Sequence, residues 1–123
     1  MSTTELKESL YARVGILEDN QVIGKKEADF TRRAVDMLLA EKPDASAEKA
    51  EMFFTHLAMA AMRAERGIAE NPIDAAILEA AAYEPSWEKA VDFRDRLMKE
   101  TDIAFPQTEK DFLSVHLCNL FGE

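Results

Sequence analysis

The sequence predicts an all-α protein, a compact bundle of about five helices, on three observations. Apolar residues recur at helical rather than alternating spacing in every long segment. β-Branched residues are scarce and no run alternates over five or more positions, so no strand competes. The third observation is the stretch from Met52 to Arg66, MFFTHLAMAAMRAER. There Phe53, Leu57, Ala60, Ala61 and Ala64 form one apolar stripe, and Phe54, Ala58 and Met62 continue it round a neighbouring face. A helix apolar over most of its circumference needs helices on several sides, so this one is expected at the centre.

The elements follow in order. Ser2-Thr3-Thr4-Glu5 fits the capping-box pattern, which starts a first helix that carries Leu6, Leu10, Val14 and Leu17 on one stripe and ends near Leu17. Gly15 weakens it slightly. Residues 18–24 have no sustained period and read as a loop. Phe30, Ala34, Met37 and Leu38 mark a second helix from about Lys26 to Glu41, stopped by Lys42-Pro43-Asp44. Asp44 or Ser46 caps the central helix, and Gly67 ends it in the left-handed position. A long connection over residues 67–84 holds only a short helix-like turn, Ile73 to Ala82, whose small residues suggest close packing. Pro85 suits a first helical position, and Trp87, Ala90, Val91, Phe93, Leu97 and Met98 carry that helix to about Glu100. Pro106 or Thr108 opens the last helix, which bears Phe112, Leu113, Val115, Leu117, Leu120 and Phe121.

Composition bounds the function. A chain of 123 residues, 47% hydrophobic and 32% charged, is one domain's worth of ordinary globular sequence with room for a core. No apolar run approaches the roughly 20 residues of a bilayer span, and the N-terminus lacks a signal peptide's apolar region, so a cytoplasmic location is expected. The lone Cys118 fits a reducing compartment and reads as core filler. With 24 acids against 15 bases the net charge is −9, which repels polyanions, so no direct nucleic-acid contact is expected.

Few residues are left to carry chemistry. A carboxylate-bridged metal pair needs Glu-x-x-His, but Phe53 and Leu113 stand three residues before His56 and His116. Two histidines and one distant cysteine lack the ligand spacing of zinc sites, and there is no glycine-rich phosphate loop or G-x-S-x-G elbow. No metal or cofactor is called for. His56 and His116, each at the centre of an otherwise apolar helix, remain as candidates, and the pattern leaves open whether they are reactive or hydrogen-bonded structural residues. Arg63 follows His56 by seven residues, on the same helix face and roughly 10 Å along the axis. Met52 and Met59 share that face, which permits a small-ligand pocket with His56 but offers no convergent polar set.

The blocks F-F-T-H-L-A-M-A-A-M-R and F-P-Q-T-E-K-D-F-L-S-V-H-L resemble the two histidine motifs of the PTS regulation domain, the module of bacterial sugar-responsive regulators. The 60-residue gap between His56 and His116 is similar to that family's, and the hydrophobic pattern matches from about Leu6 to Leu120. The resemblance implies a compact bundle of about five helices, usually paired as a homodimer. It also implies that His56 and His116 accept phosphoryl groups from phosphocarrier or sugar-permease components of the phosphotransferase system. Arg63 and Glu109 match the family's arginine seven positions after the first histidine and acid seven before the second. Thr55 stands where many members place aspartate, and the chain matches a single module without a nucleic-acid-binding domain, so its output is expected to pass through a separate effector protein.

The expected mechanism is nucleophilic. A neutral imidazole attacks phosphorus near pH 7 if it is reachable and the transferring charge is stabilised. Arg63 is either the bidentate phosphate donor for that step or a cation at its helix C-terminus, and Glu109 is explained by the dipole at the start of the last helix. The expectation is therefore a regulatory module rather than an enzyme, phosphorylated on histidine. The alternative is a helical scaffold or adaptor whose histidines are structural.

Overall fold

The computed structural model describes residues 2–122, in which six α-helices and no strand are found. They are α1 Thr3–Asp19, α2 Lys25–Glu41, α3 Ala47–Arg66, α4 Ala75–Ala82, α5 Trp87–Met98 and α6 Gln107–Phe121. The count exceeds the expected five because the short turn after Gly67 closes into a helix of its own. Asp74 makes this possible: its side chain accepts from the Ala76 amide at 2.8 Å and satisfies one of the free N–H groups of the first turn.

Local capping explains the other boundaries. Ser2 Oγ accepts from the Glu5 amide at 3.1 Å and Ser46 Oγ from the Lys49 amide at 3.4 Å, so Ser46 and not Asp44 starts α3. The first turn of α2 is held by Glu27, whose carboxylate accepts from the Gly24 amide at 3.2 Å. Gly67 ends α3 at φ 68°. Pro85 does not occupy a first helical position. It lies in the turn before Ser86, the N-cap of α5, and the Trp87 amide closes that turn on the Glu84 carbonyl at 3.0 Å.

The central position of α3 follows from its apolar circumference. Ala50, Phe53, Phe54, Leu57, Ala58, Ala60, Ala61 and Met62 are buried, and the helix packs against α1, α2 and α6. Helices α1 and α2 pair on one side and α5 and α6 on the other. The main core joins Leu10, Leu38, Phe53, Leu57, Phe93, Leu97, Leu113 and Leu117. Phe105 closes the α5–α6 connection against Phe30, with ring centroids 5.6 Å apart. Cys118 is buried in the same core, its thiol 3.2 Å from Ser86 Oγ. The small residues of α4 do not pack closely. None is buried, and the helix leans on α6, where Cys118 Sγ lies 3.7 Å from the Ala81 carbonyl, while Ile77 stays 53% exposed. No helix among the described residues is long and apolar enough to cross a membrane.

Two glycines give opposite expectations. A Cβ at Gly15, inside α1, meets nothing within 4 Å, so Gly15→Ala should stabilise the fold by about 0.5–1 kcal/mol. Gly67→Ala forces a side chain into the left-handed region and should destabilise it by about 1 kcal/mol. Urea unfolding midpoints of the two variants, moving apart on either side of wild type, check both.

Candidate functional site

Helices α3 and α6 build the site between them. His56 of α3 and His116 of α6, 60 residues apart in the chain, stack with ring centroids 4.3 Å apart and planes at 21°. Arg63 of α3 and Glu109 of α6 form a second contact: Nε donates to Oε2 at 2.7 Å and Nη2 to Oε1 at 3.0 Å. Each helix places its two members seven residues apart, two turns on one face. The first residue of one helix's pair meets the second of the other's, so α3 and α6 run antiparallel and the two contacts form rungs in one register.

A cleft of about 300 Å³ opens along these rungs, lined by His56, Ala60, Arg63, Glu70, Glu109, Phe112, Leu113 and His116. Ala60 sits between His56 and Arg63 on α3, and its small side chain leaves the space. Met52 and Met59 do not line this cleft. Met52 is exposed, and Met59 packs against a smaller cluster around Val14, Ile23 and Ala58. The ligand pocket that Met52, Met59 and His56 left open in the sequence is not formed; His56 instead opens onto a cleft with polar groups from α6.

The two histidines differ in setting. His56 is exposed and His116 is half-buried. Burial lowers the His116 pKa from its ordinary 6.5, because a half-desolvated ring disfavours the imidazolium, and the neighbouring His56 lowers it further. Arg63 is raised above its ordinary value, chiefly by its hydrogen bonds to Glu109. Glu109 is 1% exposed, and Glu70 stands 3.7 Å from Arg63 Nε on the solvent side. With neutral histidines the cleft therefore holds, among the described residues, one positive and two negative side chains.

The helix dipole is not the main partner of Glu109. A buried carboxylate needs a matched charge, and the bidentate fork of Arg63 supplies it. Arg63 likewise does more than sit at its helix end, although Nη1 lies outside the fork. Taking Arg63 and Glu109 separately misses their pairing. The signal that carries it is the equal seven-residue offset, after the histidine in one helix and before it in the other. Thr55, beside His56, is half-buried and lines a separate groove of about 450 Å³ with Arg13, Ile16 and Leu17. Among the described residues no three His, Cys, Asp or Glu side chains come together to hold a metal.

The fold and the site define a small helical bundle with a stacked histidine pair, one ring exposed and one half-buried, set beside a fork between half-buried Arg63 and buried Glu109. The chain is 30% identical over 111 residues to the Escherichia coli K12 protein called Uncharacterized protein YhfY, covering 89% of this chain and 90% of that one, and it belongs to that family. No family model matches the chain, and no solved structure does.

Two expectations follow from the site. Arg63→Ala leaves the Glu109 carboxylate buried without its counterion and should cost about 2–3 kcal/mol, somewhat under the fully buried case because Arg63 keeps an exposed edge. Arg63→Met combined with Glu109→Leu should return to within about 1 kcal/mol of wild type in urea unfolding. The second concerns pH. Because the folded state holds His116 below 6.5, the unfolded chain takes up the proton first as pH falls. The stability contributed by neutral His116 is therefore complete above about pH 6.5 and declines below it. Unfolding midpoints of wild type should drop between about pH 7.5 and 5.5, and His116→Gln should flatten that drop.

Proposed function

We propose that this protein is a non-enzymatic regulatory module of sugar-responsive control, phosphorylated on histidine by phosphocarrier or permease components of the phosphotransferase system. The observation that carries the reading is the stacked pair. Two histidines from distant helices meet at the surface, in the two sequence blocks that resemble the histidine motifs of PTS regulation domains. Exposed His56 offers an imidazole that a protein donor can reach. Arg63 lines the same cleft, and Nη1 is free of the Glu109 fork to meet a phosphate oxygen.

The output is a change in protein contacts. Ile16 is 60% and Met52 51% exposed; Ile16 lines the groove that reaches Thr55, the residue before His56, and Met52 stands one helical turn before His56 on α3. That surface supports a two-fold homodimer, with each copy presenting the same patch. A phosphoryl group of about −1.5 to −2 charge at its edge alters the pairing or recruits a cation from an effector protein. The module acts in the cytoplasm, where such donors work, and reaches transcription through a partner rather than by touching nucleic acid.

A second reading has one observation in its favour. The fork of Arg63 is directed at Glu109, as in a helical scaffold or adaptor whose polar contacts only fix the packing. Incubation with phosphoenolpyruvate and a phosphotransferase relay separates the two. The regulatory reading expects acid-labile, alkali-stable phosphate on the wild type, lost in the His56→Ala, His116→Ala double variant, and a shift in sedimentation on labelling. Wild type that stays unlabelled by phosphocarrier and permease domains alike leaves the scaffold reading standing.

A further inference from the structure

We infer that the His56–His116 pair holds one phosphoryl group at a time and that His56 is the acceptor. The inference rests on the proposed phosphoacceptor role and adds its stoichiometry and its order.

Geometry limits the occupancy. The rings lie 4.3 Å apart and within 21° of parallel, so two phosphoryl groups would have to share one stacked pair at the mouth of one cleft. Each phosphoryl group brings about −1.5 to −2 charges, and Coulomb repulsion grows with the product of the charges, about fourfold for two dianions against two single charges. The cleft already contains the carboxylates of Glu70 and Glu109 against the single cation Arg63, two of whose nitrogens donate to Glu109. One further anion can be met by Nη1 and by water. Among the described residues, a second has no remaining cation on the cleft wall.

Position sets the order. His56 is exposed on α3, whereas His116 is half-buried, with Leu113 and Leu117 buried on the same stretch of α6. A donor approaching from solvent meets His56 first. With phosphoramidate as donor, the unprotonated ring nitrogen of His56 attacks phosphorus and forms the new N–P bond. The donor's P–N bond breaks, its electron pair leaves with ammonia, and the ammonia takes up the proton shed by the phosphorylated imidazolium.

The test is intact-mass spectrometry of the full chain at neutral pH during reaction with excess potassium phosphoramidate, folded and in urea. The folded protein should stop at one phosphoryl group, with the doubly labelled species under a tenth of the singly labelled one. Fragmentation of the wild type should place the label on His56. The unfolded chain, its histidines far apart, should take two. His56→Gln should label at least tenfold more slowly than wild type. Double labelling of the folded protein in the proportion of independent sites, label on His116 in the wild type, no label at either histidine, or a limit of one that persists in urea would each overturn the inference. A protein that takes one group from phosphoramidate but none from the phosphotransferase relay keeps this inference and loses the proposed donor. Relay labelling together with double occupancy does the reverse.

Discussion

The fork between Arg63 and Glu109 is the contact on which the geometry of the site depends. A carboxylate that is 1% exposed is tolerated only with its charge matched and both oxygens hydrogen-bonded, and Arg63 does both in one planar contact. The fork also fixes the register of α3 against α6. Sliding α6 by one residue moves Glu109 by about 1.5 Å along the axis and turns it by about 100°, which breaks both bonds. A stack of two neutral rings contributes much less, about 0.5–1.5 kcal/mol by analogy with aromatic pairs. The ring contact is therefore a consequence of the charge contact two turns away.

What keeps the cleft open is the residue between the rungs. Ala60, four positions after His56 and three before Arg63, faces α6 with one methyl group, while Phe112 and Leu113 supply the apolar wall opposite. A leucine at that position would fill much of the space and turn the two rungs into an ordinary helix interface. The same economy of side chains lets α3 sit at the centre. Ala50, Ala58, Ala60 and Ala61 are all buried, and they allow α1, α2 and α6 to approach one helix from different sides while Phe53, Phe54 and Leu57 fill the gaps.

How much of this was legible in the sequence depended on the range of the interaction. Periodicity and caps are local, so α3 ends at Gly67 where its left-handed signal stands, and the stripes of α1, α2 and α5 turn inward as their spacing implies, with Leu10, Leu38 and Phe93 buried and Leu17, Met37 and Met98 half-buried. The α4 helix is harder to read because alanines favour helix without declaring a face, and its cap, Asp74, follows directly on a proline loop that dominates the pattern. The site needed long-range knowledge. His56 and His116 stand out by chemistry alone, but nothing in either block says that α3 and α6 are antiparallel neighbours. Without that fact the matching seven-residue offsets look like two separate helix-dipole effects.

Charge gives the site its particular character. In a protein of net charge −9, the histidine cleft is acidic too, with Glu70 and Glu109 against Arg63. An anion-binding site selected for tight binding would collect cations, and this one does not. The arrangement suits a group that arrives by a covalent bond, because the N–P bond and not electrostatic attraction then holds the phosphoryl group in place. Once there, the group and Glu109 draw on the same guanidinium. Glu109 cannot be left unmatched in the core, so any share of Arg63 taken by the phosphoryl group loosens the contact that sets the α3–α6 register. On that argument the proposed modification acts on helix packing directly, and the acidity of the cleft is what gives a single small group leverage over it.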